Sequence, residues 1–361
     1  MNHIRHINPI RPIRLIIPAF ILIIPLFLFF YTKTSLAKTE YTLSGKTMGT
    51  YYTVRFISAQ GESASLWQKR LDMRLNRLNK TFSMFDTRSR LSLFNEQHIG
   101  DCVKTSRDFY EVLIKAQNIY QLSEGAWDGT VKPLVDLWGF GRAENKIAYK
   151  IPDPHEISKA LAKIGFQHIR INKDLSLCRD ADISLDLGSI AKGFGADAIS
   201  ELFIGSGIRD VLVEIGGEVM ASGTNKKQEP WKVGISRPQT YFAGTDFTDK
   251  GIFKIIQLSG QALATSGTYR NFFEIDGKSY SHIIDPRTGF PVDKAIVSAS
   301  VIAQNCTLAD GLATAMMVMD VQKSLELADQ LENTECLVVT KHGNSFITHM
   351  SKNFKIFIKE K

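Results

Sequence analysis

The chain has 361 residues, of which 44% are hydrophobic and 22% charged, and its formal net charge is +7. This is an ordinary globular composition, long enough for one large domain or two modest ones. Four positive charges (Arg5, Arg11, Arg14 and Lys33) fall in residues 1–37, which contain no acid, so residues 38–361 carry only +3. No basic stripe with interleaved aromatic residues occurs, and we expect no nucleic-acid partner.

Residues 1–37 are predicted to be a targeting segment. An uncharged apolar run from Leu15 to Tyr31 follows the basic flank, and Ser35 and Ala37 have the spacing of a signal cleavage site. The run is near the lower length limit for a membrane-spanning helix. We therefore expect export through a cleaved signal peptide, with a retained membrane anchor as the alternative. No Cys follows the run to carry a lipid.

Strand and helix patterns alternate in the first half of the remaining chain. β-branched and aromatic residues predict a strand at Thr50–Phe56. Apolar residues at helical spacing predict an amphipathic helix from Glu62 to about Asn79. Ser106 is placed to cap a second helix, and a third is predicted from Pro154 to Ile164, with Gly165 ending it.

The second half is rich in strands. They are predicted at Val211–Ile215, Trp231–Ile235, Gly251–Leu258, Ala295–Ile302 and Glu335–Val339. Helices are predicted at about Ser189–Leu202, Thr307–Met319 and Val321–Leu331. Because several strands follow one another without a crossover helix, we expect an α+β fold with a largely antiparallel sheet core and flanking helices. Residues 38–361 contain no evident linker and are predicted to form one two-lobed domain.

Asp310 and Thr314 stand one turn apart on one face of the late helix. A carboxylate and a hydroxyl at this spacing suit a hard cation such as Mg²⁺. In the alternative interpretation, Asp310 lies in the first turn and favours the helix dipole, while Thr314 bonds back to a carbonyl one turn earlier.

The segment Ser184–Asp197 joins a strand-like start to a glycine-rich helix opening with Lys192. Gly188 and its neighbouring glycines allow a ligand to approach the backbone closely. Helix N-terminal amides with a lysine suit a phosphate or diphosphate. The spacing matches neither the P-loop nor the dinucleotide fingerprint, and tight helix-on-sheet packing is the alternative.

The aromatic segment Gly125–Gly141 is predicted to connect two elements. Its aromatic residues can line a pocket for a flat ring, and Asp128 can accept hydrogen bonds from ring nitrogens or an amine. Packing on the core is the alternative. Met48, at a turn before a strand, is either a pocket residue or core filler.

Two further segments are hairpin candidates. Glu214–Gly223 reads as two strands joined by Gly-Gly. Phe272–Ile284 reads as a hairpin with Asp276-Gly277 at its tip, followed by a polar cluster. His282 in this cluster is a candidate general acid or base, or a phosphate partner, with a purely hydrogen-bonding role as the alternative. Asp285-Pro286 is typical of the start of a turn.

Four cysteines, Cys102, Cys178, Cys306 and Cys336, are widely spaced and show no zinc pattern. Disulfides are permitted in an exported protein, but the spacing predicts no pairing, and four buried free thiols are an equal alternative.

Seven stretches in order resemble the ApbE family, the FAD:protein FMN transferases. They are TMGTYYTV, SMFDTRSRLSLFN, GAWDGTVKPLVDLWGFG, LDLGSIAKGFGAD, VEIGGEVMASG, ATSGTYRNFFEIDGKSYSHIIDPRTGFPV and ADGLATAMMVM. Together they span nearly all of residues 38–361, which the resemblance identifies as a flavin transferase domain.

The resemblance implies a specific site. Mg²⁺ would be held by Asp310, Thr314 and the backbone carbonyl of Ala191. The implied FAD contacts are Met48, Phe85, Ala126, Trp127, Asp128, Gly188, Lys192, Phe194, His282 and Ile284. Lys192 would add positive potential at the diphosphate, and either His282 or Asp285 would serve as base.

The resemblance also implies the reaction. Such enzymes cleave the FAD diphosphate, attach FMN to a Thr or Ser of a target protein and release AMP. Their targets are subunits of membrane redox complexes, so the expected location is the periplasm or the outer face of the cytoplasmic membrane. A Mg²⁺-dependent FAD pyrophosphatase and a non-catalytic flavin-binding protein are the alternatives. Many members are lipoproteins, whereas this chain lacks the required Cys.

Overall fold

The computed structural model describes residues 38–59, 61–141, 150–238, 251–293, 295–343 and 345–359. The predicted signal or anchor, residues 1–37, lies outside them. The described strands are β1 (Lys38–Thr47), β2 (Thr50–Ala59), β3 (Cys102–Lys104), β4 (Ile169–Ile171), β5 (Ser176–Arg179), β6 (Val211–Ile215), β7 (Glu218–Ser222), β8 (Trp231–Ser236), β9 (Ile252–Leu258), β10 (Ala262–Gly267), β11 (Phe272–Ile275), β12 (Lys278–Ser281), β13 (Ile296–Ala303), β14 (Glu335–His342) and β15 (Ser345–Met350). The described helices are α1 (Ala64–Phe82), α2 (Arg90–Asn95), α3 (Arg107–Leu122), α4 (Lys132–Leu137), α5 (Pro154–Leu161), α6 (Gly188–Ile204), α7 (Cys306–Val318) and α8 (Val321–Gln330).

Among the described residues, eight strands form one sheet in the order β1-β2-β6-β7-β10-β13-β14-β15. Each neighbouring pair in it is antiparallel. Two tight turns, Met48–Gly49 and Gly216–Gly217, connect sequential strands, and φ is positive at all four residues, as two-residue hairpins favour. The predicted α+β class and antiparallel sheet are confirmed.

Local signals place most of the helix ends. Ser106 caps α3 as predicted, because its Oγ accepts a hydrogen bond from the N–H of Phe109 at 3.3 Å. Asp153 and Glu156 form a capping box at the start of α5. That helix ends at Leu161, three residues before the predicted end, and the segment predicted as a connection contains the short helix α4.

The sheet separates two hydrophobic layers. Alternate residues of a strand face opposite sides, so Val213 packs under α6 while Leu212 faces the β8–β9 hairpin. On the helical side, the ring of Phe203 lies 4.9 Å from that of Phe56 and 4.4 Å from that of Trp67. This layer contains α6 and α7, the helices that carry the candidate site.

A smaller hydrophobic cluster contains α4, α5 and the β11–β12 hairpin. Trp138 lies at its centre, stacked on Tyr280 at 5.7 Å, and its Nε1 donates to the carbonyl of Gly289 at 2.8 Å. The hairpin turns at Asp276 and Gly277 with positive φ, as predicted. This cluster is the smaller lobe, and the candidate site lies between it and the main helical layer.

The cysteines fall into two classes. Cys102 of β3 and Cys178 of β5 face each other in register and form a disulfide. Cys306 and Cys336 are buried free thiols. The alternative of four free thiols is therefore wrong.

Within the described ranges, no helix has both the length and the apolar character needed to cross a membrane.

Candidate active site

A cavity of about 400 Å³ opens between the two lobes. Its wall is formed by α6 and α7, by the end of β10, and by the segments that follow β12 and precede α4. A second pocket of about 370 Å³ adjoins it beside the β1–β2 turn. Both pockets are lined by Met84, Gly188 and Lys192, so the two spaces share one wall.

Asp310 lies where α6 and α7 cross. Its side chain is 3% exposed, its Oδ2 accepts a hydrogen bond from the N–H of Gly193 at 3.0 Å, and Lys192 Nζ is 3.7 Å away. Asp310 is the fifth residue of α7, beyond the first turn, so the predicted dipole role is wrong. A Cβ at Gly193 would lie 2.9 Å from Asp310 Cβ and even closer to the Cys306 carbonyl oxygen, so the crossing requires glycine.

A second carboxylate fixes the start of α7. Asp197 of α6 accepts hydrogen bonds from the backbone N–H groups of Cys306 at 2.6 Å and Thr307 at 3.0 Å. Asn305 caps the same helix by accepting from the N–H of Leu308 at 2.9 Å. The backbone N–H groups at the start of a helix have no hydrogen-bond partner within the helix, and these contacts supply one. They also fix α7 against α6.

Thr314 lines the cavity together with Asp310. Its hydroxyl is hydrogen-bonded to the hydroxyl of Ser266 in β10 at 3.1 Å. This differs from the predicted alternative, a bond to a carbonyl one turn earlier. Two hydroxyls and a carboxylate therefore lie on one wall.

Lys192 extends from α6 toward two acids. Its Nζ donates a hydrogen bond to Oε1 of Glu218 at 3.1 Å, in addition to its contact with Asp310. Glu218 begins β7 and is 2% exposed. The sequence predicted its segment only as a hairpin, although a Glu next to a Gly-Gly turn in a buried strand was a usable signal.

The oxygen donors fit a small hard cation. Asp310 and Thr314 supply a carboxylate and a hydroxyl to one cavity, and Ala191 lines the adjoining pocket. In the part of the chain that the structure describes, no three His, Cys, Asp or Glu side chains are grouped to hold a metal. A site with one carboxylate and one hydroxyl suits Mg²⁺, which is usually bound by one or two carboxylates and completes its coordination shell with water and substrate phosphate.

The predicted aromatic segment divides between the cavity and the core, because Trp127 lines the cavity whereas Trp138 packs in the smaller cluster. Ala126, Trp127 and Asp128 all line the larger cavity. Trp127 Nε1 donates to the hydroxyl of Ser189 at 2.8 Å, which ties this wall to α6.

Asp128 is engaged within the protein. Its carboxylate accepts from the N–H and hydroxyl of Thr130 at 2.7 and 2.6 Å and from the N–H of Phe166 at 3.2 Å. Burial raises its pKa above the ordinary value, against the effect of these hydrogen bonds. The side chain therefore shapes the loop as well as the cavity.

The two candidate bases are placed differently. His282 and Ile284 line the cavity, and His282 Nδ1 is 2.9 Å from the carbonyl oxygen of Asn271. Asp285 is not among the lining residues, and its carboxylate accepts hydrogen bonds from the guanidinium of Arg287 at 2.9 and 2.8 Å. The structure thus brings His282 to the cavity and places Asp285 in a turn.

The remaining predicted contacts divide between the second pocket and the core. Met48 and Phe85 line the second pocket, where Phe85 is 70% exposed. Phe194 is 4% exposed, packs edge-on against Phe82 at 5.4 Å and lines neither pocket.

Several lining residues besides Glu218 were not predicted from the sequence. Ser266 and Asn271 belong to a stretch that was noted only for its turn and hairpin. Asp186 also lines the cavity, and its Oδ1 accepts the N–H of Gly188 at 2.8 Å. Burial raises the pKa of Asp186. Its position before a glycine-rich helix could have identified it.

The antiparallel sheet, the crossing helices and the cavity lined by oxygen donors and a lysine define an α+β protein suited to a phosphorylated ligand with a flat ring. The chain belongs to the ApbE family, whose model matches residues 48–338.

Relatives and solved structures agree with this assignment. The chain is 36% identical over 319 residues to the FAD:protein FMN transferase of Vibrio cholerae, covering 88% of this chain and 92% of the relative. It is 35% identical to the FAD:protein FMN transferase of Haemophilus influenzae, covering 87% of this chain and 90% of the relative. The structure of the flavin transferase ApbE from Vibrio cholerae superposes with a TM-score of 0.78 at 34% identity, covering 89% of this chain and 99% of that one. The apo form of the flavinyl transferase ApbE of Pseudomonas stutzeri superposes with a TM-score of 0.78 at 32% sequence identity, covering 89% of this chain and 97% of that one.

Proposed function

We propose that this chain is an FAD:protein FMN transferase. It cleaves the diphosphate of FAD, attaches FMN through a phosphoester to a Thr or Ser of a target protein and releases AMP. Membership of the ApbE family and the names of its relatives support this function. The observation that carries it is that Asp310, Thr314 and Lys192 line one cavity with the Ala126–Asp128 wall.

The residues that would hold Mg²⁺ are Asp310, Thr314 and the carbonyl of Ala191. When bound, the ion neutralises diphosphate charge and stabilises the leaving phosphate. Lys192 adds a fixed positive charge at the same wall, and the N-terminal end of α6 at Gly188 contributes backbone N–H groups and a favourable dipole.

His282 is the better-placed base for the acceptor hydroxyl. A carbonyl oxygen can only accept, so Nδ1 must donate to Asn271, and Nε2 is then the basic nitrogen of the neutral ring. A hydroxyl is a weak nucleophile until a base removes its proton or positioning lowers the barrier. The pairing of Asp285 with Arg287 makes that carboxylate a weaker candidate.

The enzyme acts outside the cytoplasm, in the periplasm or at the outer face of the cytoplasmic membrane, on subunits of membrane redox complexes. The basic and apolar composition of residues 1–37 supports export. The Cys102–Cys178 disulfide adds independent support, because such bonds persist in oxidising compartments.

One assay separates transfer from its alternatives. The purified protein is incubated with FAD, Mg²⁺ and an acceptor protein bearing a Thr site, and the acceptor is inspected for flavin fluorescence in a denaturing gel. Labelled acceptor and released AMP support transfer. Free FMN and AMP without labelling would indicate a pyrophosphatase, and unchanged FAD a flavin-binding protein.

A further inference from the structure

Glu218 is a buried acid with no role in the chemistry described above. Its Oε1 accepts from Lys192 Nζ, while its Oε2 is buried and has no hydrogen-bond partner among the described residues. Glu218 also lines the larger cavity. Leaving a buried carboxylate oxygen without a donor costs free energy, so its position at a cavity wall indicates that a bound ligand supplies the donor.

The charges around Lys192 also favour a positively charged ligand at this wall. Glu218 and Asp310 have side chains that are each 3% exposed, and both contact the one ammonium group. Buried carboxylates are stabilised by a nearby positive charge, so two of them at one cavity wall favour the approach of a cation.

We propose that Glu218 is a positioning residue of the metal–diphosphate site. Its Oε1 holds the ammonium group of Lys192 beside Asp310, and its Oε2 accepts a hydrogen bond from a water molecule of the bound metal ion. Mg²⁺ retains several waters in such sites, and these waters are hydrogen-bond donors. The inference rests on the proposed function, since it requires a nucleotide diphosphate bound with a divalent ion.

The probe that isolates this site is ADP with Mg²⁺, because ADP carries the diphosphate but neither the flavin nor a group to transfer. The test variant is Glu218→Gln, which keeps the size and one oxygen for Lys192 but replaces the second acceptor with a donor. The matched control is Glu214→Gln, on the same hairpin at an exposed position of β6. Titration calorimetry measures ADP affinity at saturating Mg²⁺, and Mg²⁺ affinity at saturating ADP.

We expect Glu218→Gln to weaken both affinities by about tenfold to a hundredfold, the range for a lost hydrogen bond to a charged group. Glu214→Gln should match the wild type. A purely structural role would lower the melting temperature without a change in affinity that depends on Mg²⁺. The effects of Glu218→Gln and Lys192→Met should be non-additive, because the two side chains form one ion pair.

Wild-type affinities in a folded Glu218→Gln variant would overturn the proposal. If that variant does not fold, Glu218→Asp is decisive: it retains the charge but withdraws both oxygens by one methylene, and unchanged affinities in it would also overturn the proposal. Failure of the wild type to bind ADP with Mg²⁺ would refute it as well. FMN transfer by the wild type is measured separately in the gel assay. If the wild type transfers FMN while Glu218→Gln binds ADP and Mg²⁺ with normal affinity, only the role of Glu218 is refuted.

Discussion

The backbone N–H of Gly193 in α6 donates a hydrogen bond to the Asp310 carboxylate in α7 at 3.0 Å. The absence of a side chain at Gly193 permits this approach. The same contact orients Asp310, so packing of the two helices and geometry of the candidate metal site depend on one residue.

Gly193→Ala should therefore destabilise the protein and weaken Mg²⁺ binding. Its methyl group would meet the backbone carbonyl of Cys306, which cannot move without shifting α7. Overpacking of this kind costs about 1–3 kcal/mol. Thermal unfolding and Mg²⁺ titration at fixed FAD measure the two effects.

Gly195→Ala, on the same helix, is the control. Its Cβ would lie 3.1 Å from Ile215 Cδ1 and Met48 Cε, the ends of flexible side chains. Because Ala also has the higher helix propensity, by about 1 kcal/mol, we expect near wild-type stability. Equal Mg²⁺ affinity in both variants would contradict the role assigned to Gly193.

The fold could be predicted well from local patterns. Strands such as β6 and helices such as α6 and α7 are long, strongly patterned and bounded by turns, and their predicted ends lie within a few residues of those found. The short strands β3, β4 and β5 were missed, because three or four residues carry too little pattern and pair only through tertiary contacts. The Cys102–Cys178 pairing depends on that same small sheet.

The candidate site was predictable where residue type and spacing carry the chemistry. Asp310, Thr314, Lys192 and Trp127 were singled out and line one cavity. Glu218 was not, because its contact with Lys192 joins residues 26 apart and depends on how β7 lies over α6. Phe194 was singled out as an FAD contact, but its ring packs in the core although its segment reaches the pocket.

Thr314→Val should abolish the hydroxyl at the candidate metal site while keeping the side chain's shape. We expect transfer to fall roughly 10²-fold, the size of effect seen when one charge-stabilising group is removed. Thr314→Ser keeps the hydroxyl and is expected to retain most of the activity. The loss is measured as the rate of acceptor labelling at a series of Mg²⁺ concentrations. Equal rates in Thr314→Val and Thr314→Ser would show that the hydroxyl of Thr314 is not part of the site.

Cys102→Ser should lower stability by about 2–4 kcal/mol, since the disulfide joins residues 76 apart and restricts the unfolded chain. A reducing agent should have the same effect on the wild type and none on the variant. Denaturant unfolding with and without reductant measures both. Cys336→Ser is the control for loss of a buried free thiol, and it should remain sensitive to reductant.

The choice between the two candidate bases can be made with a pair of variants. His282→Gln should slow FMN transfer at saturating FAD by about 10²–10⁴-fold, the usual contribution of a general base, in addition to any loss of the FAD contact made by His282.

Asp285→Asn should transfer FMN at close to the wild-type rate, because its carboxylate lies outside the cavity lining and is paired with Arg287. Its expected effect is a modest loss of stability from the weakened ion pair. Single-turnover labelling at saturating FAD separates chemistry from binding. A large rate loss in Asp285→Asn with none in His282→Gln would transfer the role of base to Asp285, and it would require the Arg287 pair to open during the reaction.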